Sequence, residues 1–127
     1  MSIQLLIAED DAADRCLLKR YLSRAEFPIE FQIVEDGEKI CQQLEQQQPQ
    51  VLCMDFNMPR LTAIEVLRKL DANVRSSMTI IVMSTLLCPA AEQELKDLGV
   101  TCLLTKTEDY SILCDQIIDQ CKACSAS

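Results

Sequence analysis

Five polar side chains stand directly behind short, mostly apolar runs, and their types suit the handling of a phosphoryl group. Glu9 and Asp10 follow residues 3–8 (IQLLIA), and Asp55 follows residues 51–54 (VLCM). Ser84 follows residues 79–83 (TIIVM), and Lys106 follows residues 101–105 (TCLLT). An apolar run halted by a polar turn is the pattern of a buried strand. In an open α/β sheet, ligands sit just beyond the carboxyl ends of the strands, so residues distant in sequence converge at one edge. Three carboxylates and one ammonium leave roughly −2 there, which like-charge repulsion disfavours unless a cation or protons enter. Hard oxygen ligands with charge to spare suit Mg²⁺, which keeps several waters and binds one or two carboxylates plus a phosphate. A carboxylate beside Mg²⁺, a hydroxyl and a lysine then make a site for phosphoryl transfer. The carboxylate attacks phosphorus while the cations hold the developing charge on the oxygens.

The elements that must place these groups are legible along the chain. After the first strand a helix is predicted from Asp11, with Leu17, Leu18, Tyr21, Leu22 and Ala25 on one stripe and Arg15, Lys19, Arg20 and Arg24 mostly off it. Residues 29–34 (IEFQIV) alternate as an edge strand does, and Asp36-Gly37-Glu38 turns into a second helix that stops at Gln46-Gln47-Gln48-Pro49. The strand ending at Asp55 leads through a proline-bearing loop to a third helix over 62–70. Pro89 suits the first turn of a helix after the fourth strand, and Gly99 suits the left-handed position just past its end. Asp109 is placed to cap a last helix with Leu113, Ile117, Ile118 and Cys121 on its apolar stripe. Five strand-then-helix units without a break predict a doubly wound α/β domain with a five-stranded parallel sheet, spanning 1–127 as one domain.

Length and composition agree. A chain of 127 residues, 49% hydrophobic and 25% charged, is an ordinary globular chain with room for one core. Its net charge of −8 argues against direct nucleic-acid binding, which rests on Lys and Arg contacts with phosphate. No run approaches the length of a membrane span and no secretory leader is evident, so a cytoplasmic location with no membrane partner is expected. Eight cysteines without any histidine, and with Cys121-Lys122-Ala123-Cys124 as the one C-x-x-C, make a weak zinc signal. They read as small buried hydrophobes plus an exposed, reactive tail, and Cys53 as a buried strand thiol.

The chain resembles the CheY-like receiver domains of two-component response regulators over essentially its whole length. The resemblance rests on Leu6-Ile7-Ala8-Glu9-Asp10-Asp11, Met54-Asp55-Phe56-Asn57-Met58-Pro59-Arg60, Val82-Met83-Ser84-Thr85 and Leu104-Thr105-Lys106. It implies the strand order 2-1-3-4-5 and a single-domain response regulator. Asp55 would be the phosphoacceptor, Glu9 and Asp10 the acidic pair that binds Mg²⁺, and Asn57 the residue whose backbone carbonyl completes the metal site. Ser84 would be the switch hydroxyl and Lys106 the lysine on the phosphoryl group. A sensor histidine kinase or histidine phosphotransfer protein would supply the phosphoryl group in a phosphorelay. The domain would catalyse only its own phosphorylation and dephosphorylation. An unidentified downstream protein would be bound through the face of the fourth strand's helix, the fifth strand and the last helix, with a homodimer left open. The basic residues Arg15, Lys19, Arg20 and Arg24 read as a solvated helix face, with docking of an acidic partner as the alternative.

Three positions depart from the family pattern. Leu103 stands where many receivers carry an aromatic switch residue. Thr107 replaces the proline usual after the lysine, where a cis bond would cost about 3–4 kcal/mol rather than about 0.5–1. A trans bond with a shifted loop, or a strained cis bond, is therefore expected. Thr62-Ala63 replaces Asp-Gly, and Ala63 takes a left-handed conformation less cheaply than Gly, so that loop is expected to differ in shape. The competing reading is a receiver-like interaction module that works without phosphorylation, although such domains tend to lose the acidic pair or the lysine. A haloacid-dehalogenase-type phosphotransferase wants an acid two residues after its nucleophile, where Asn57 stands. A flavodoxin-like carrier needs a glycine-rich phosphate loop, and the chain has only Gly37 and Gly99.

Overall fold

The computed structural model describes residues 2–126. In chain order the elements are β1 (Ile3–Ala8), α1 (Ala12–Ser23), β2 (Ile29–Val34), α2 (Gly37–Gln46), β3 (Val51–Asp55), α3 (Ala63–Lys69), α4 (Ala72–Ser76), β4 (Thr79–Ser84), α5 (Pro89–Asp97), β5 (Cys102–Thr105) and α6 (Tyr110–Ala126). The strands form one sheet, ordered β2-β1-β3-β4-β5, and every pairing is parallel. Among the described residues no helix is long and apolar enough to cross a membrane.

Strand periodicity explains why helices cover both faces. Successive side chains of a strand point to opposite sides. Ile3, Leu5 and Ile7 of β1, Val51 and Cys53 of β3, and Ile81 and Met83 of β4 join α1 and α6 in one buried cluster. Their neighbours Leu6, Ala8, Leu52, Met54, Ile80 and Val82 meet α2, α3 and α5 in the other. Each fully buried Leu, Ile or Val contributes about 1.5–3 kcal/mol, so the three central strands are held from both sides.

The helix ends follow local chemistry. Asp11 caps α1 through the Asp14 amide and Asp36 caps α2 through the Lys39 amide. Pro89 opens α5, and Gly99 beyond its end has φ 95°, as its sequence position predicts. Four features depart from expectation. The segment between β3 and β4 holds a second, short helix, α4, capped by Asp71, so the helices number six. The Lys106–Thr107 bond is trans, there being no cis peptide among the described residues. In the loop after β3 the left-handed residue is Arg60, at φ 71°, not Ala63. Ala63 is the first residue of α3, behind a capping box in which Thr62 and Glu65 satisfy each other's amides. Finally, Cys121 of the C-x-x-C pair is buried and Cys124 half-buried against the same cluster, so the tail is packed rather than exposed.

The loop after β3 is pressed onto the start of α2. The Leu61 amide donates to the Pro59 carbonyl across Arg60, a tight turn with an uncommon backbone conformation. That turn sets Leu61 against Gly37. A Cβ on Gly37 would lie 2.6 Å from both the Leu61 Cβ and the Leu61 carbonyl oxygen, and 2.9 Å from the Val66 Cγ2. Because backbone is among the atoms met, a side chain cannot be absorbed by rotation. Gly37→Ala should therefore lower stability by about 1–3 kcal/mol, the usual range for overpacking, seen as a lower urea midpoint. An unchanged midpoint would show that the loop yields freely.

Candidate functional site

The residues singled out from sequence come together at the carboxyl edge of the sheet. Glu9 lies one residue past β1, where its amide donates to the Val34 carbonyl at 3.0 Å and so extends the pairing with β2. The Arg15 guanidinium, from the first turns of α1, donates to the Glu9 carbonyl at 3.1 Å and the Asp10 carbonyl at 2.8 Å. The turn carrying the acidic pair is thereby tied down from both sides. Arg15 is thus committed to this turn, which leaves Lys19, Arg20 and Arg24 as the exposed basic residues of α1. Asp55 ends β3 opposite Met83, and pairing persists one residue further through the Phe56 amide and the Met83 carbonyl at 2.8 Å. Ser84 ends β4, half-buried, and its carbonyl accepts the Lys106 amide at 2.8 Å. The Asn57 amide donates to Asp55 Oδ1 at 3.3 Å.

Charge is concentrated here under little solvent. Glu9 is 0% exposed and Asp55 8%. The Lys106 ammonium donates to Glu9 Oε1 at 2.7 Å and to Asp55 Oδ2 at 2.8 Å, joining β5 to β1 and β3. One oxygen from each of Glu9, Asp10 and Asp55 lies within 4.8 Å of the others. Burial pushes the Glu9 carboxyl up to about 7; the Lys106 hydrogen bond opposes the rise and Asp55 adds to it. Burial works against the charge on Lys106, but its hydrogen bonds to Asp55 and Glu9 outweigh that and hold the ammonium above its ordinary range.

Sequence reasoning missed Tyr110. This buried residue opens α6 and donates its hydroxyl hydrogen to Glu9 Oε1 at 3.1 Å. Burial pushes its phenol up, with Asp14 and Glu9 facing it, so it is a neutral donor. Its only signal was position, a tyrosine just behind the Asp109 cap and four residues after Lys106.

The donor set fits a hard divalent cation. The ligands are all oxygens, they carry more negative charge than Lys106 offsets, and Glu9 Oε2 is buried without a hydrogen-bond partner. A buried carboxylate oxygen left unpaired is costly, and a cation supplies what it lacks.

Comparison with known proteins gives one consistent family. The family model for the response regulator receiver domain matches residues 5–118. The response regulator MprA of Mycobacterium ulcerans (strain Agy99) is 36% identical over 70 residues, 55% of this chain and 29% of MprA. The match thus spans less than a third of that relative's length. The phosphorylated cyanobacterial phytochrome response regulator RcpA superposes with a TM-score of 0.80 at 26% identity, covering 94% of this chain and 91% of RcpA. The Mn(2+)-bound response regulator Rcp1 does so with a TM-score of 0.78 at 24% identity, covering 91% and 88%.

The raised Glu9 carboxyl has a consequence for the metal-free protein. The folded state holds this proton more tightly than the unfolded chain, so the stabilisation is complete below the ordinary value of 4.5 and is lost as pH rises to about 7. Glu9→Gln cannot titrate. In EDTA, its urea midpoint relative to the wild type should rise steadily from pH 5 to pH 7.5, and parallel curves would contradict the burial argument.

Proposed function

The chain belongs to the response regulator receiver domain family, and we propose that it accepts a phosphoryl group on Asp55 and signals by altered protein–protein binding. The 127 residues are read as one receiver domain of a two-component phosphorelay. The donor is a phosphohistidine on a sensor kinase or phosphotransfer protein. The observation that carries this reading is the Lys106 ammonium, held between Glu9 and Asp55 at the strand ends beside Asp10.

The chemistry follows from the groups present. An Asp55 oxygen forms a bond to phosphorus as the P–N bond of phosphohistidine breaks, and the departing imidazole takes up a proton. Asp55 is fixed for attack by the strand, by the Asn57 amide and by Lys106. Glu9, Asp10, Asp55 and the Asn57 backbone carbonyl would hold Mg²⁺. When bound, the ion supplies positive charge toward which the phosphoryl oxygens are drawn. Lys106 is then shared between Glu9 and the arriving oxygens, and it stabilises charge on them at short range in a buried setting. The Ser84 hydroxyl hydrogen-bonds the attached phosphoryl group from β4. Water later attacks the same phosphorus and releases phosphate, restoring the carboxylate. The domain therefore acts on itself and turns over no separate substrate.

Leu103, half-buried on the α5 side of the sheet, cannot swing as an aromatic ring would. The output is accordingly read through the α5–β5–α6 face by backbone and helix adjustment, to a downstream protein or a second copy. The alternative, an interaction module indifferent to phosphorylation, parts from this reading in one experiment. Intact mass after incubation with Mg²⁺ and acetyl phosphate should show a single phosphoryl adduct, lost with EDTA and absent in Asp55→Asn. No adduct in the wild type, under conditions where the metal binds, would sink the phosphoacceptor reading in favour of the alternative.

A further inference from the structure

Phosphoryl chemistry at Asp55 has no need of the hydrogen bond from Tyr110 to Glu9. Both Tyr110 and Lys106 donate to the same atom, Oε1 of Glu9, at 3.1 and 2.7 Å. Two donors on one oxygen fix the plane of the carboxylate and leave Oε2 buried and unpaired. The two donors are not equivalent. Lys106 divides its ammonium between Glu9 and Asp55, and an arriving phosphoryl group competes for it. Tyr110 is anchored differently, its ring packed in the apolar cluster with Leu104, Leu113 and Cys114 beneath the sheet. Its hydroxyl therefore stays on Glu9 when Lys106 is drawn away.

We infer that Tyr110 is a positioning residue for the divalent cation, holding Oε1 of Glu9 so that Oε2 binds the ion directly. The inference rests on the reading of Glu9, Asp10 and Asp55 as the metal site and assigns a geometry within it. Groups that orient a metal ligand typically change metal affinity by 10–100-fold when removed, on the order seen for outer-shell partners in general. Tyr110→Phe removes one oxygen and keeps the ring in its apolar socket, so the fold is retained.

The test uses the full chain freed of metal and titrated with Mn²⁺. Free ion is read by electron paramagnetic resonance, and water-proton relaxation is read on the bound ion. In Tyr110→Phe the Kd should rise about tenfold. Relaxation enhancement per bound ion should also increase, because the released carboxylate lets a water take its place on the metal. A Kd within about twofold of wild type overturns the inference, even if the thermal midpoint falls, since the bond then serves only to anchor α6. A weakened Kd with unchanged relaxation enhancement overturns it as well, because general loosening does not exchange a protein ligand for water. If the wild type itself binds no Mn²⁺, the metal reading of the acidic residues falls first and the inference with it. Wild-type binding with an unaltered variant removes the inference alone.

Discussion

A single ammonium serving two buried carboxylates is the constraint on which the site depends. Lys106 reaches Glu9 and Asp55 across 97 and 51 positions of sequence, so the contact exists only when β1, β3 and β5 are all in register. Removing two carboxylates from water is expensive, and one partner cannot offset both. The shortfall shows in Glu9, whose proton affinity rises although an ammonium sits 2.7 Å away. The pocket is therefore electrostatically incomplete, and the species that completes it is positive or brings its own counter-charge. Stability and reactivity are two aspects of that one deficit.

The remainder of the fold serves to hold that edge still. The carboxyl ends of β1, β3 and β4 each continue their pairing one residue past the strand, through Glu9, Phe56 and Lys106. Active groups thus sit on backbone that is already committed by hydrogen bonds, and only the loop beyond Asp55 has freedom. Even that loop is gripped, by the contact of Leu61 with Gly37. Exposed ion pairs from Arg60 to Asp36 and Glu38, at 3.5 and 3.8 Å, add little energy but favour the same arrangement. Precision at the strand ends is secured by packing and ladder hydrogen bonds more than by charge.

Much of this was legible because strand ends announce themselves. Apolar runs that stop at Glu9, Asp55, Ser84 and Lys106 specify both a buried sheet and the residues at its edge, and one period-two rule covers them all. What stayed hidden was tertiary. Nothing in the local sequence of Tyr110 says that its ring turns inward toward Glu9, a residue 101 positions away. The helix α4 is five residues long, below the length at which periodicity separates helix from turn, and only Asp71 hinted at a start. Arg60 is left-handed because Leu61 must meet Gly37, a contact between two loops that no window of sequence contains. Ala63 was expected to strain its loop by analogy with glycine, but Thr62 and Glu65 made it the start of a capped helix instead.

The half of the core beneath α6 also carries sulfur where such cores usually carry methyl groups. Cys53, Cys114 and Cys121 are buried there, while Cys16 and Cys88 face solvent. Burial lifts the inner thiols away from ionisation, to about 11 for Cys114 and about 12 for Cys121, and thiolate is the form that alkylating reagents attack. Two classes of thiol thus coexist in one domain, one reacting at the rate of a free peptide and one only when α6 lifts from the sheet. The chain contains its own gauge of breathing, in which the labelling rate of the inner class measures the free energy of local opening.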